Sequence, residues 1–129
     1  MSHFTTIKTQ VRDLVALREA SSDLGLELLD GVPCRGYAGA LRECSRTIRL
    51  KGPYDIAVDP SPADDGTHGL TADWWDGHVE SETGAGFGRL LQCYGVRKTL
   101  REARSRGLRA TRTQESDGSI LLTLEGGSL

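Results

Sequence analysis

The stretch FTTIKTQVRDLVALREASSDLGLELLDG, residues 4–31, decides how the chain is read. Phe4–Gln10 is rich in Thr with aromatic and branched side chains in partial alternation, the pattern of a half-buried strand. The period then changes. Val11, Leu14, Val15, Leu17, Ala20 and Leu24 recur at helical spacing. Gly25 stands where a left-handed residue would stop that helix. Leu26–Leu29 follows as a second short strand, ended by Asp30-Gly31. A β-α-β unit is predicted.

Outward from this unit, Arg46–Leu50 and Tyr54–Asp59 read as strands separated by the turn residues Lys51-Gly52-Pro53. Pro60–Gly69 has the composition of a loop. Leu70–Trp75 reads as a further strand that ends in a tryptophan pair. GAGFG, residues 84–88, leads into the longest helical pattern, in which Cys93, Val96, Leu100 and Ala103 share one side and Phe87, Leu91 and Tyr94 another. Gly107 stops it. A helix with two apolar sides touches two surfaces, a hint of oligomer or partner contact. Leu108–Thr113 and Ser119–Leu124 flank Asp117-Gly118, a hairpin signal. The expectation is an α+β fold with a mainly antiparallel sheet and two main helices on one face. A ferredoxin-like core with inserted strands is its simplest form.

The 129 residues, 37% of them hydrophobic, suit one domain spanning 1–129. Sixteen basic against eighteen acidic residues leave a net charge of −2, so no overall field points to nucleic acid or to a membrane. MSHFTTIKTQ lacks an apolar signal-like stretch, and no apolar run reaches the roughly 18 residues of a membrane span. A cytoplasmic protein is expected. Cys34, Cys44 and Cys93 form no close pair of the kind that marks zinc or a disulfide framework.

The opening MSHFTTIKTQVRDLVAL, the central YDI and the closing CYGVRKTLREARSRGL…DGSILLTLEG resemble a small uncharacterised family. That family includes a hypothetical open reading frame of cyanobacteria and red-algal plastids. The likeness runs over nearly the whole chain. It supplies no activity, cofactor or catalytic residue. Its bacterial members are sometimes encoded beside an AAA-type ATPase, and the resemblance therefore implies an accessory or adaptor role. The chain departs from the family at Thr83–Gly88 and in the acidic, proline-rich loop around Asp64-Asp65.

Chemistry concentrates in two places. Asp73-Trp74-Trp75-Asp76-Gly77-His78 is the most unusual cluster. On a strand, one tryptophan faces the core and its neighbour faces outward, as an interface anchor or stacking group. Charge is also uneven: Arg89–Arg112 holds eight basic residues against Glu102, whereas Gly52–Gly88 holds eight acidic residues and no Lys or Arg. Arg97, Arg101 and Arg104 share a helical face that could grip phosphate or an acidic partner, or be covered by the acidic middle of the chain. GAGFG lacks the spacing of a phosphate loop or dinucleotide fingerprint. His68 and His78 with Asp64, Asp65, Asp73 and Asp76 lack metal-ligand spacing, and no nucleophile elbow is present. No cofactor or metal is expected.

The reading favours a non-enzymatic interaction protein, an accessory to an AAA-type ATPase or larger assembly, with Asp73, Trp74, Trp75, His78, Arg97, Arg101 and Arg104 as candidate contacts and self-association as an option. The alternative is a small-molecule binder or enzyme with a pocket between the sheet and the acidic loop, using Asp73, Trp74, His78 and Arg97.

Overall fold

A computed structural model describes residues 3–126. Five strands form one antiparallel sheet: β1 (Phe4–Lys8), β2 (Glu27–Asp30), β5 (Arg46–Arg49), β6 (Ile56–Pro60) and β7 (His68–Asp73), in the order β1-β7-β6-β5-β2. The helix α1 (Leu14–Asp23) joins the two outermost strands. β1 and β2 stand at opposite edges with the meander β5-β6-β7 between them, and the strands that follow the second main helix leave the sheet, so the order is not that of the ferredoxin-like core expected. The expected α+β architecture holds.

The register Leu28–Ile48–Ile56–Ala72 places those side chains on one face, with Val58, Leu70 and Ile7 in the adjacent row. These residues form one cluster with Ala16, Leu17 and Ala20 of α1 and with Leu90, Cys93 and Tyr94 of α3 (Gly88–Ser105). Both main helices thus cover the same face. The helix α1 starts three residues later than periodicity suggests. Asp13 is its N-cap and accepts the N–H groups of Val15 and Ala16, each at 3.0 Å, while Val11 is buried ahead of the helix.

The opposite face is polar and also covered. Thr47, Ala57, Thr71, Asp55 and Asp73 are buried there, beneath residues 31–45. That strap contains β3 (Cys34–Arg35), β4 (Leu41–Arg42) and a 3-10 turn, Tyr37–Gly39, between them. Its close approach requires glycine at 36, where a Cβ would lie 2.6 Å from Cζ of Phe4. A short helix, α2 (His78–Thr83), precedes α3 and was not anticipated. The GAGFG segment breaks the two helices apart: Gly84 has φ +85° and its Cβ would sit 2.8 Å from the Arg89 nitrogen. After α3, β8 (Arg109–Gln114) and β9 (Ile120–Glu125) form a separate hairpin against that helix instead of joining the sheet. No helix of the described residues is long and apolar enough to cross a membrane.

Candidate functional site: an aromatic corner

The polar face supplies the foundations. Asp55, immediately before β6, is fully buried. It binds the Arg35 guanidinium through both oxygens at 2.8 Å, meets Arg49 at 3.2 Å and accepts the Arg35 and Leu50 backbone N–H groups. Arg35 also donates to the carbonyls of Leu50 and Gly52. This knot pins the strap to the sheet. Beside it, the same burial pushes the Cys34 thiol up to about 12, with the Asp55 charge adding to the effect, so Cys34 is a packed, protonated side chain. Cys44 lies 3.0 Å from the Thr47 hydroxyl, and burial raises Cys93 as well.

Asp73, at the end of β7, ties a second point. Its carboxylate accepts backbone N–H groups from His3 (3.2 Å), Tyr37 (3.0 Å) and Trp75 (3.0 Å). Burial opposes its ionisation, yet those donors hold its pKa below the ordinary carboxylate value. One buried charge thus joins the start of β1, the turn of the strap and the segment after β7. Asp73 is a positioning residue.

The tryptophans divide as strand alternation would predict, but for another reason. Both follow β7, in a turn in which Asp76 and Gly77 adopt φ of +56° and +71°. Trp74 turns inward onto the buried Phe87, ring centroids 4.6 Å apart. Trp75 turns outward and stays 52% exposed. Its ring meets Tyr37 edge-on at 5.5 Å and lies nearly parallel to His3 at 6.0 Å, and His3 and Tyr37 are 6.1 Å apart. Behind this trio, His78 packs edge-on against Tyr54 at 4.8 Å, with its Nε2 3.8 Å from Asp76. Burial and the nearby Asp73, Tyr37 and Asp76 raise the Tyr54 pKa.

Asp73 and Trp75 therefore share the corner, while Trp74 packs inward on Phe87 and His78 packs on Tyr54. Arg97, Arg101 and Arg104 do not join them. Arg97 forks onto Asp23 at 2.9 and 2.5 Å and reaches Glu19 at 3.9 Å. Arg101 pairs with Asp13 at 3.1 Å and Glu19 at 3.6 Å, and Lys98 lies 3.8 Å from Asp13. The basic face of α3 is thus an interhelical clamp, with partners on α1 instead of the acidic middle of the chain. The ion pair with Arg97 lowers the Asp23 pKa. The Asp13 carboxyl is lowered too: burial opposes this, while the Ala16 N–H, Arg101 and Lys98 outweigh it. Arg104 borders a shallow depression of about 200 Å³ with Arg101 and Ser105.

The alternative pocket grouped Arg97 with Asp73, Trp74 and His78; the clamp to Asp23 takes Arg97 out of that group. The acidic loop and the start of β7 dock on the segment ahead of α1 instead: Arg12 donates to the Asp65 carbonyl, and the His68 backbone N–H donates to the Val11 carbonyl at 2.9 Å. A cavity of about 340 Å³ lies elsewhere, lined by Lys8, Thr9, Gln10, Val11, Leu91 and Tyr94. Among the described residues, no group of three or more His, Cys, Asp or Glu side chains converges as metal ligands would.

Comparison with known proteins adds nothing to this geometry. The chain matches no family model, no curated protein and no solved structure.

Sequence reasoning missed His3 and Tyr37 as partners of Trp75, Tyr54 as the partner of His78 and Asp55 as the tie of the strap. Tyr37 sits 36 residues from Asp73, and nothing in its own neighbourhood announces the meeting. A weak signal existed: Gly36-Tyr37-Ala38-Gly39 is an aromatic residue in a turn, the placement of an exposed ring on a rigid base.

Proposed function

We propose that the chain is a non-enzymatic interaction module that docks a protein partner on the corner of Trp75, Tyr37 and His3. The observation that carries this reading is that Trp75 is half exposed to solvent yet held by two ring contacts and a backbone bond to buried Asp73. A large, rigid, amphipathic ring loses little conformational freedom on binding, which is why tryptophan and tyrosine dominate interface hot spots. The absence of Lys and Arg between Gly52 and Gly88 complements a partner with a basic rim. The family resemblance of the chain's opening, YDI and closing segments nominates an AAA-type ATPase, or the assembly around one, as that partner.

The test is affinity capture from the native host with the wild type and Trp75→Ala side by side, at low and at high salt. The expected result is one stoichiometric protein partner retained by the wild type and weakened by roughly thirtyfold or more in the variant, corresponding to a hot spot of at least about 2 kcal/mol. Equal capture by both proteins would remove the corner from the reading. A small molecule released on denaturation, with no protein partner, would favour the binder or enzyme alternative.

A further inference from the structure

We propose that β9 is a dimerisation edge: two copies of this chain join their hairpins antiparallel, β9 to β9, into one four-stranded sheet. The proposal is independent of the aromatic corner.

The hairpin is a two-stranded ribbon outside the main sheet, and such ribbons are at best marginally stable alone in water. Its strands differ in kind. β8 carries Arg109 and Arg112, while β9 reads Ile-Leu-Leu-Thr-Leu before its final Glu125. Leu121 and Leu124, 53% and 44% exposed, belong to the short set of large apolar side chains left in solvent. The open edges of the main sheet are protected by other means: β2 is four residues long and flanked by Glu27 and Asp30, and β1 ends in Lys8. Short and charged edges resist pairing, whereas a neutral apolar edge invites it.

Hydrogen-bond geometry fixes the register. The Glu115 N–H donates to the Ser119 carbonyl at 2.8 Å and the Gly118 N–H to the Glu115 carbonyl at 3.1 Å. Bonded and non-bonded pairs alternate along an antiparallel ladder. Thr113–Leu121, Thr111–Thr123 and Arg109–Glu125 therefore exchange bonds within the hairpin. The N–H and C=O groups of Ile120, Leu122 and Leu124 then point outward from β9. A two-fold axis at Leu122 sets that residue opposite its counterpart and Ile120 opposite Leu124 of the second copy, so outward groups meet outward groups at each position. Ile120, Leu122 and Leu124 also share one face of the ribbon, so the same register runs an apolar row across the interface and covers Leu124. On the other face Leu121 meets Thr123. No like charges are opposed.

The competing arrangement fails on charge. Pairing β8 to β8 about Arg112 would set two guanidinium groups directly across from each other, which destabilises a cross-strand pair. The chemistry of the edges thus selects a second copy through β9, an isologous interface of the commonest symmetry.

The experiment is sedimentation velocity on the full chain over a wide concentration range, with two proline variants. Leu124→Pro removes an outward N–H from β9 and leaves the internal ladder intact; Gln114→Pro makes the same lesion on β8. Wild type and Gln114→Pro are expected as dimers, and Leu124→Pro as a monomer with an unchanged far-ultraviolet circular dichroism spectrum. A second measurement covers misfolding of the proline variant. A nitroxide at Thr123, introduced as cysteine with Cys44→Ser, should give an intermolecular distance within about 20 Å, because neighbouring strands lie about 4.8 Å apart. A wild type monomeric throughout, or a dimer whose labels at Thr123 lie far apart, would overturn the proposal.

Discussion

The two faces of the sheet are built by opposite chemistry. Beneath the helices, Leu28, Ile48, Ile56, Val58 and Leu70 meet Ala16, Leu17 and Leu90 in an apolar layer where any well-shaped hydrocarbon serves. Beneath the strap, Asp55 and Asp73 are buried among arginine and backbone N–H donors, and each oxygen has assigned partners. An apolar layer stabilises without directing. A satisfied polar layer fixes angles and positions. The half-exposed ring of Trp75, with the partly buried Tyr37 against it, stands on the polar side, where positional control is greatest.

The comparison can be broken at either face, and the largest effect is expected on the polar one. Asp55→Ala strips the charge partner from Arg35 and Arg49 and should cost about 3–4 kcal/mol in denaturant unfolding, the lower part of the range for half of a buried pair, because Asp55 is buried while both arginines keep about a third of their surface in solvent. Leu17→Ala on the apolar face should cost about 2–5 kcal/mol, scaling with the cavity it leaves. The two should differ in reach: Leu17→Ala leaves the strap in place, whereas Asp55→Ala exposes the strap amides to hydrogen exchange. Asp73→Asn keeps the shape but weakens acceptance of three N–H groups and should cost about 1–3 kcal/mol.

Acid sharpens the same contrast. Asp73 on the polar face, and Asp13 and Asp23 in the α1–α3 clamp, have pKa values below those of free carboxylates. The unfolded chain therefore binds protons first on acidification. The stabilisation these groups give is complete above the unfolded value of about 3.9 and is lost as pH falls through their lower folded values. The melting temperature should hold between about pH 7 and 5 and drop below about pH 4, with a shallower drop in Asp73→Asn. The smallest effect on stability belongs to Trp75→Ala, about 1–2 kcal/mol for a half-exposed ring that gives up its contacts with Tyr37 and His3.

The apolar face was legible in the chain because periodicity reports burial directly: the alternation of Ile56–Val58 and the helical spacing of Leu14, Leu17 and Ala20 needed no long-range knowledge. The clamp was half legible. The i, i+4 pair Arg97 and Arg101 was visible, and the matching pair Glu19 and Asp23 on α1 was its readable complement. The strap was not legible. Its strands are two residues long, too short for any period, and its ties run from Arg35 to Asp55 and from Tyr37 to Asp73. A carboxylate that will be buried looks in sequence like one that will be solvated. The tryptophan pair sent one ring inward and one outward as alternation suggested, although a left-handed turn at Asp76 and Gly77 does the sorting.

The central claim, that the polar face holds an exposed aromatic corner rigid, has a direct measurement because the chain has only two tryptophans. Fluorine NMR of protein labelled with 5-fluorotryptophan resolves both, and Trp75→Phe assigns them. The Trp75 resonance should be solvent-accessible, distinct from the free-indole shift and as broad as that of Trp74. In Asp73→Asn it alone should narrow and move toward the free value. A Trp75 signal already narrow and coil-like in the wild type would contradict the account.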